Sequence, residues 1–228
     1  MDNKAVWRRN EDPSMVQWNN LCDRLHKMIP GLIADYMQNH KTIEERLAVD
    51  GVRVNDGSSN KTKNSQYGDL SAWQAVPLKH TNKYAGIKTI FPNMVEKFPT
   101  ASEIVVEYGD DCPVAFYSIM APNTQLHRHT GPENLDGKNI RVHVPLIIPE
   151  GDIFLEVNGE FVTWEDIFCF DNQYVHSAYN YSDEWRLIFL IDFTRESIGI
   201  PPGQHYDEIR NGDPSIRFDR NRNPISMK

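Results

Sequence analysis

From Val114 onward, apolar residues recur in short runs separated by turn residues. The runs are Val114 to Met120, Ile140 to Ile148, Ile153 to Val157, Glu160 to Trp164, Ile167 to Phe170, Tyr174 to Tyr179 and Trp185 to Phe193. Each has strand length, and Ile140-Arg141-Val142-His143-Val144 alternates apolar with polar positions as a half-buried strand does. Asn158-Gly159 joins two runs, and both residue types tolerate the positive φ angles of a tight hairpin turn. Seven such runs in about 80 residues predict an antiparallel sandwich or barrel.

The first 50 residues follow a different period. Asp12-Pro13-Ser14 can start a helix, and Met15, Trp18, Leu21, Cys22, Leu25 and Met28 then form one apolar stripe. Pro30-Gly31 is expected to break that helix, with further helical pieces over Leu32 to Met37 and Ile43 to Val49. Gly57 to Ser65 is polar throughout and reads as a flexible connection, and Phe91 to Phe98 reads as another short helix. Residues after Thr194 read as a polar tail.

A chain of 228 residues holds one domain of this kind. The expected organisation is a single domain over residues 1–228: a helical and mixed part over 1–110, a β core over 111–195 and a tail over 196–228. The fold class is therefore mainly β with flanking helices. A net charge of −8 argues against a general nucleic-acid binder, which needs clustered Lys and Arg. No apolar stretch approaches the roughly 20 residues of a spanning helix, so no membrane partner is expected. Met1-Asp2-Asn3-Lys4 leads into polar sequence rather than a secretory leader, and the cysteines Cys22, Cys112 and Cys169 are odd in number and far apart. Reduced thiols and a cytoplasmic location are the expectation.

Of the eight histidines, His26, His40, His80 and His205 sit in unremarkable contexts. His129 and His176, 47 positions apart, both fall in the β-rich half, where a barrel could bring two neutral imidazoles to one divalent ion. Arg186 interrupts an apolar strand and shares a face with Ile188 and Leu190. Arg141 and His143 share one face of another strand. A buried guanidinium requires an anion, either a ligand carboxylate or a structural partner such as Asp171 or Asp192 for Arg186.

The segments His129-Thr130-Gly131-Pro132, Arg141-Val142-His143, Phe170-Asp171 through His176, and Arg186-Leu187-Ile188-Phe189 through Asp192 resemble the aspartyl/asparaginyl β-hydroxylase family of iron(II)- and 2-oxoglutarate-dependent oxygenases. The resemblance runs from about Val114 to Thr194 and includes two spacings, ten residues from His176 to Arg186 and eleven from Ser118 to His129. It implies a double-stranded β-helix of the jelly-roll, cupin-like kind. It also implies that His129 and His176 are metal ligands and catalytic residues for Fe(II). Gly131 stands where most related oxygenases carry an acidic ligand, so water is implied in that position. By the same resemblance, Arg186 and Ser118 would hold the distal carboxylate of 2-oxoglutarate, and Arg141 and His143 the carboxylate nearest the metal. The implied reaction consumes 2-oxoglutarate and O2 as cosubstrates and hydroxylates an aliphatic carbon of an amino acid, peptidyl residue or related small molecule. Trp73, Tyr117 and Tyr174 are candidate aromatic neighbours of the site.

Some positions depart from the family. Asn139 and Phe116 replace basic residues found in members that act on acidic side chains of protein domains, and the loop from Pro132 to Ile140 is about three residues longer. Two alternatives remain. His127, His129 and Glu133 with His176 could form a cupin-like metal site, or the barrel could bind 2-oxoglutarate without turnover.

Overall fold

The computed structural model describes residues 4–46, 73–82, 87–90, 94–131, 134, 136–205 and 216–226. In chain order the elements are β1 (Val6–Arg8), α1 (Val16–Arg46), β2 (Trp73–Asn82), β3 (Ile87–Ile90), α2 (Met94–Lys97), α3 (Pro99–Tyr108), β4 (Val114–Met120), β5 (Thr124–Gln125) and β6 (Asn139–Ile147). There follow β7 (Ile153–Val157), β8 (Glu160–Val162), β9 (Phe168–Phe170), β10 (His176–Asn180), β11 (Arg186–Thr194), β12 (Ile216–Phe218) and β13 (Pro224–Ser226). All seven strand runs read from the second half of the sequence form strands. Asn158 and Gly159 turn β7 into β8 with φ angles of 48° and 92°.

Strand alternation decides the layers. One sheet has the order β1-β9-β6-β11-β4-β2-β3, and a smaller one the order β5-β10-β7-β8, every pairing antiparallel. On the outer face of the large sheet, Val142, Val144, Phe189, Ile191 and Phe193 pack against Trp18, Leu21, Leu25 and Leu32 of α1 and Ile104 and Val105 of α3. Between the sheets lie Met120, Leu155, Val157, Trp164, Phe168, Phe170, Tyr174 and Ile188. This arrangement is mainly β with flanking helices, a double-stranded β-helix.

The helical region differs from expectation. Instead of stopping at Pro30, α1 is one helix of 31 residues. An interior proline costs about 3 kcal/mol. Leu25 and Leu32 flank it, both fully buried against the sheet, and burial of each contributes roughly 1.5–3 kcal/mol, enough to offset that cost. Gly31 is needed for a close approach: a Cβ there would meet Thr100 Oγ1 at 2.7 Å. Beside it, the Asp35 carboxylate accepts the backbone N–H groups of Thr100 at 2.8 Å and Ala101 at 3.1 Å, capping α3 from a neighbouring helix. Burial raises the Asp35 pKa, and these hydrogen bonds oppose the rise.

The helix expected over Phe91 to Phe98 is instead the short α2 followed by α3, which extends to Tyr108, while residues 91–93 lie outside the described residues. So do Gly57 to Ser65 and the end of the helical piece read over Ile43 to Val49. The stretch after Thr194 is more than a polar tail. Ile198 and Ile200 enter the helix-side core, and the β12–β13 hairpin lays Phe218 against Phe154 and Tyr179 of the small sheet. Among the described residues, no helix is long and apolar enough to cross a membrane.

Candidate active site

His129 lies opposite β10 in an isolated antiparallel bridge with His176, and each residue's N–H donates to the other's carbonyl at 2.9 Å. That pairing cancels their separation in sequence and leaves the two imidazole centroids 4.3 Å apart. His129 Nδ1 lies 2.7 Å from the His127 carbonyl and His176 Nδ1 lies 2.8 Å from the Tyr174 carbonyl. A carbonyl can only accept, so each Nδ1 bears a proton, and a neutral ring so held keeps the lone pair on Nε2, the tautomer a metal ligand needs. Burial holds the His176 pKa well below the ordinary histidine value. His129, Arg141 and His143 push it the same way, and the Tyr174 bond opposes them. His176 is therefore neutral near pH 7.

Gly131, where a third acidic ligand would stand, instead donates its N–H to the Asn172 carbonyl at 2.7 Å and ties the two histidine segments together. Among the described residues, no group of three His, Cys, Asp or Glu side chains could hold a metal ion. Glu133, on which the cupin-like alternative turns, lies outside the described residues.

Ser118, His143 and Arg186 come from β4, β6 and β11. Arg186 is only 1% exposed and has no acid at its guanidinium among the described residues; burial alone pushes its pKa down to about 9. It donates from Nη2 to Ser118 Oγ at 3.1 Å, lies 4.7 Å from the Trp164 ring, and has a buried Nε with no hydrogen-bond partner among the described residues. Ser118 Oγ also accepts the indole N–H of Trp73 at 2.9 Å. His143 Nδ1 accepts the indole N–H of Trp164 at 3.2 Å, so its proton is on Nε2, which is buried and without a partner. Burial, then Arg186, then Arg141 lower the His143 pKa well below its ordinary value. Phe170 joins the two halves of the site, its ring centroid 5.1 Å from that of His143 and 5.1 Å from that of His176.

Arg141 differs from Arg186. It reaches Asp192, its cross-strand partner, through Nε–Oδ1 at 2.8 Å and Nη2–Oδ2 at 2.9 Å. The acids considered for Arg186 thus serve other cations: Asp192 pairs with Arg141 and Asp171 with Arg195. Burial raises the Asp171 pKa, and Arg195 opposes the rise.

The three aromatic candidates separate. Trp73 bonds Ser118. Tyr174 orients His176 through its carbonyl and places its ring in the inter-sheet cluster. Tyr117 is a correction. Its hydroxyl donates to the Leu32 carbonyl, and its ring packs on Tyr36, Phe98 and Phe189, because it faces the helices while Ser118, next along β4, faces the small sheet. Trp164, read in the sequence only as the end of the strand run from Glu160, has its indole at the site. It follows β8 in a turn, where no periodic pattern marks its direction.

Fold and site together define a double-stranded β-helix whose interior holds a pair of imidazoles and a buried arginine. The family model for aspartyl/asparaginyl β-hydroxylases matches residues 37–196, well over half of the chain. The chain belongs to the aspartyl/asparaginyl β-hydroxylase family. It is 36% identical to the Homo sapiens aspartyl/asparaginyl beta-hydroxylase over 78 residues, which cover 33% of this chain and 10% of that protein. It is 32% identical to the Rhizobium tropici ornithine lipid ester-linked acyl 2-hydroxylase over 85 residues, 36% of this chain and 29% of that one. The matched stretches thus span under a third of those curated relatives. A Burkholderia pseudomallei oxidoreductase of the 2OG-Fe(II) oxygenase family superposes with a TM-score of 0.37 and 8% identity, covering 59% of this chain and 69% of that one.

Proposed function

We propose that the protein is an iron(II)- and 2-oxoglutarate-dependent oxygenase that hydroxylates an aliphatic carbon of an amino acid, a peptidyl residue or a related small molecule. The observation that carries this reading is Arg186: a guanidinium sealed between two sheets, with no acid at its side among the described residues, in the same interior as two imidazoles whose Nδ1 atoms are each held by a backbone carbonyl. Burying an unbalanced cation costs several kcal/mol, which a carboxylate ligand would recover.

His129 and His176 would hold the ion through Nε2, with their Nδ1–H groups anchored on the His127 and Tyr174 carbonyls. Arg186 and Ser118 would bind the distal carboxylate of 2-oxoglutarate, and His143 with Arg141 the carboxylate nearest the metal. Bound iron would supply a redox centre at which O2 and 2-oxoglutarate are consumed. The protein's residues fix the cosubstrate and keep water from it. His143 stays neutral and donates from Nε2, and Asp192 holds the Arg141 fork in place. The aromatic wall of Trp164, Phe168 and Phe170 excludes solvent and strengthens each charge-assisted bond inside. Three buried free thiols, at Cys22, Cys112 and Cys169, support placing the protein in a reducing, cytoplasm-like compartment.

Iron-loaded protein is incubated with 2-oxoglutarate and pooled amino acids, peptides and acylated lipids under air, and followed by succinate release and by mass spectrometry. We expect succinate together with a product heavier by one oxygen atom. Binding of 2-oxoglutarate without succinate in any pool would favour the non-catalytic module, and absence of 2-oxoglutarate binding would end both readings.

A further inference from the structure

We infer that Trp164 is a positioning residue for the cosubstrate, one side chain that sets the donor tautomer of His143 and braces Arg186. For its ligand this rests on the 2-oxoglutarate reading; for its geometry it rests on three contacts. The indole N–H of Trp164 donates to His143 Nδ1 at 3.2 Å. The two rings lie within 14° of parallel with centroids 5.9 Å apart. The Arg186 guanidinium carbon lies 4.7 Å from the centre of the same indole, within cation–π range. Trp164 is 3% exposed and comes from the turn between β8 and β9, whereas His143 and Arg186 come from β6 and β11.

The consequence is chemical. Indole nitrogen is a donor only, so His143 Nδ1 must accept, and the one proton of a neutral imidazole is forced onto Nε2. His143 then offers a hydrogen to an anionic oxygen, while His129 and His176, held by carbonyls at Nδ1, offer lone pairs to a metal. Three imidazoles in one interior are thus sorted into two ligands and one donor by their partners at Nδ1. Without the indole N–H, His143 could place its proton on either nitrogen, and half of the resulting states would turn a lone pair toward a carboxylate. The same ring faces Arg186, so the groups assigned to the two ends of 2-oxoglutarate share one support.

The test reads the tautomer directly. Side-chain proton–nitrogen correlation spectra of the metal-free protein report which nitrogen of His143 is protonated, and calorimetry on the zinc-loaded protein reports 2-oxoglutarate affinity. In the wild-type protein we expect the proton on Nε2. In Trp164→Phe, which keeps an aromatic ring but loses the N–H, the other tautomer should appear and 2-oxoglutarate should bind about three- to tenfold more weakly. Trp164→Leu, which also removes the aromatic face from Arg186, should weaken binding by about a further two- to fivefold. A wild-type His143 protonated on Nδ1 would overturn the inference, and so would a Trp164→Phe protein that melts at a lower temperature with tautomer and affinity unchanged. If the wild-type protein bound no 2-oxoglutarate yet the tautomer shifted in Trp164→Phe, the functional reading would fall and the control of His143 by Trp164 would stand.

Discussion

On β6 and β11, neighbouring residues face two different environments. Val142, Val144, Phe189, Ile191 and Phe193 turn toward α1 and α3 and pack in a cluster of aliphatic and aromatic side chains. Arg141, His143, Arg186 and Asp192 turn toward the small sheet and bring charge and hydrogen-bonding atoms into an equally buried space. The outer face of these strands carries no charged side chain among the residues named. The inner face holds Arg186 Nε and His143 Nε2, which have no hydrogen-bond partner among the described residues, atoms that a folded core ordinarily satisfies. One two-residue period thus separates an apolar face from a polar one, and the residues proposed to bind the cosubstrate lie on the polar face.

The largest effect is expected from removing a proposed metal ligand from the inner face. His176→Ala or His129→Ala should reduce succinate formation to that of protein-free iron, with stoichiometric metal binding lost in calorimetry. Retained turnover in either would discard the ligand assignment.

Next in size is a matched pair across the sheet. Phe189→Ala, on the outer face, should cost about 3–5 kcal/mol in urea unfolding, a large part of a typical domain's stability. Arg186→Met, on the inner face, removes an unbalanced buried cation. It should leave the metal-free protein as stable as before or more so while 2-oxoglutarate binding disappears. Equal destabilisation by the two would mean that the faces do not differ as argued.

The smallest expected effect is on pH. His143 and His176 have folded-state pKa values below the ordinary 6.5, mainly through burial. As pH falls below that value the unfolded chain takes up protons that the folded one refuses, so metal-free stability should decline from about pH 7 to about pH 5. Thermal melts across that range should show a shallower decline for His143→Gln. A raised carboxyl pKa, as at Asp35 and Asp171, acts with the opposite sign, and its loss of stability on raising pH begins lower, near the ordinary 3.8.

The seven central strands were legible because each is short and apolar and has turn residues at both ends. β1 was not. It is three residues long, and its identity depends on pairing with β9 more than 150 positions away. β2 contains Pro77 and Lys79, and its pairing with β4 shifts register between them, so its alternation is broken in sequence although it is regular on either side. Lys79 itself is buried and donates to the Gly109 carbonyl, a contact no local pattern announces. The continuity of α1 through Pro30 depended on a sheet surface to pack against.

Within the site, residue types could be read and partners could not. Arg141, His143 and Arg186 stood out as polar interruptions of apolar strands. That Asp192 would claim Arg141 and leave Arg186 without an acid follows from the register of β6 against β11. The chain's own order of residues determined the strands, the faces on which they carry arginine and histidine, and hence the kind of chemistry available. Tertiary structure alone decided which imidazoles meet, which nitrogen of each bears a proton and which guanidinium lacks a counter-ion. Those outcomes depend on angstrom-scale contacts between segments far apart along the chain, whereas periodicity constrains only near neighbours.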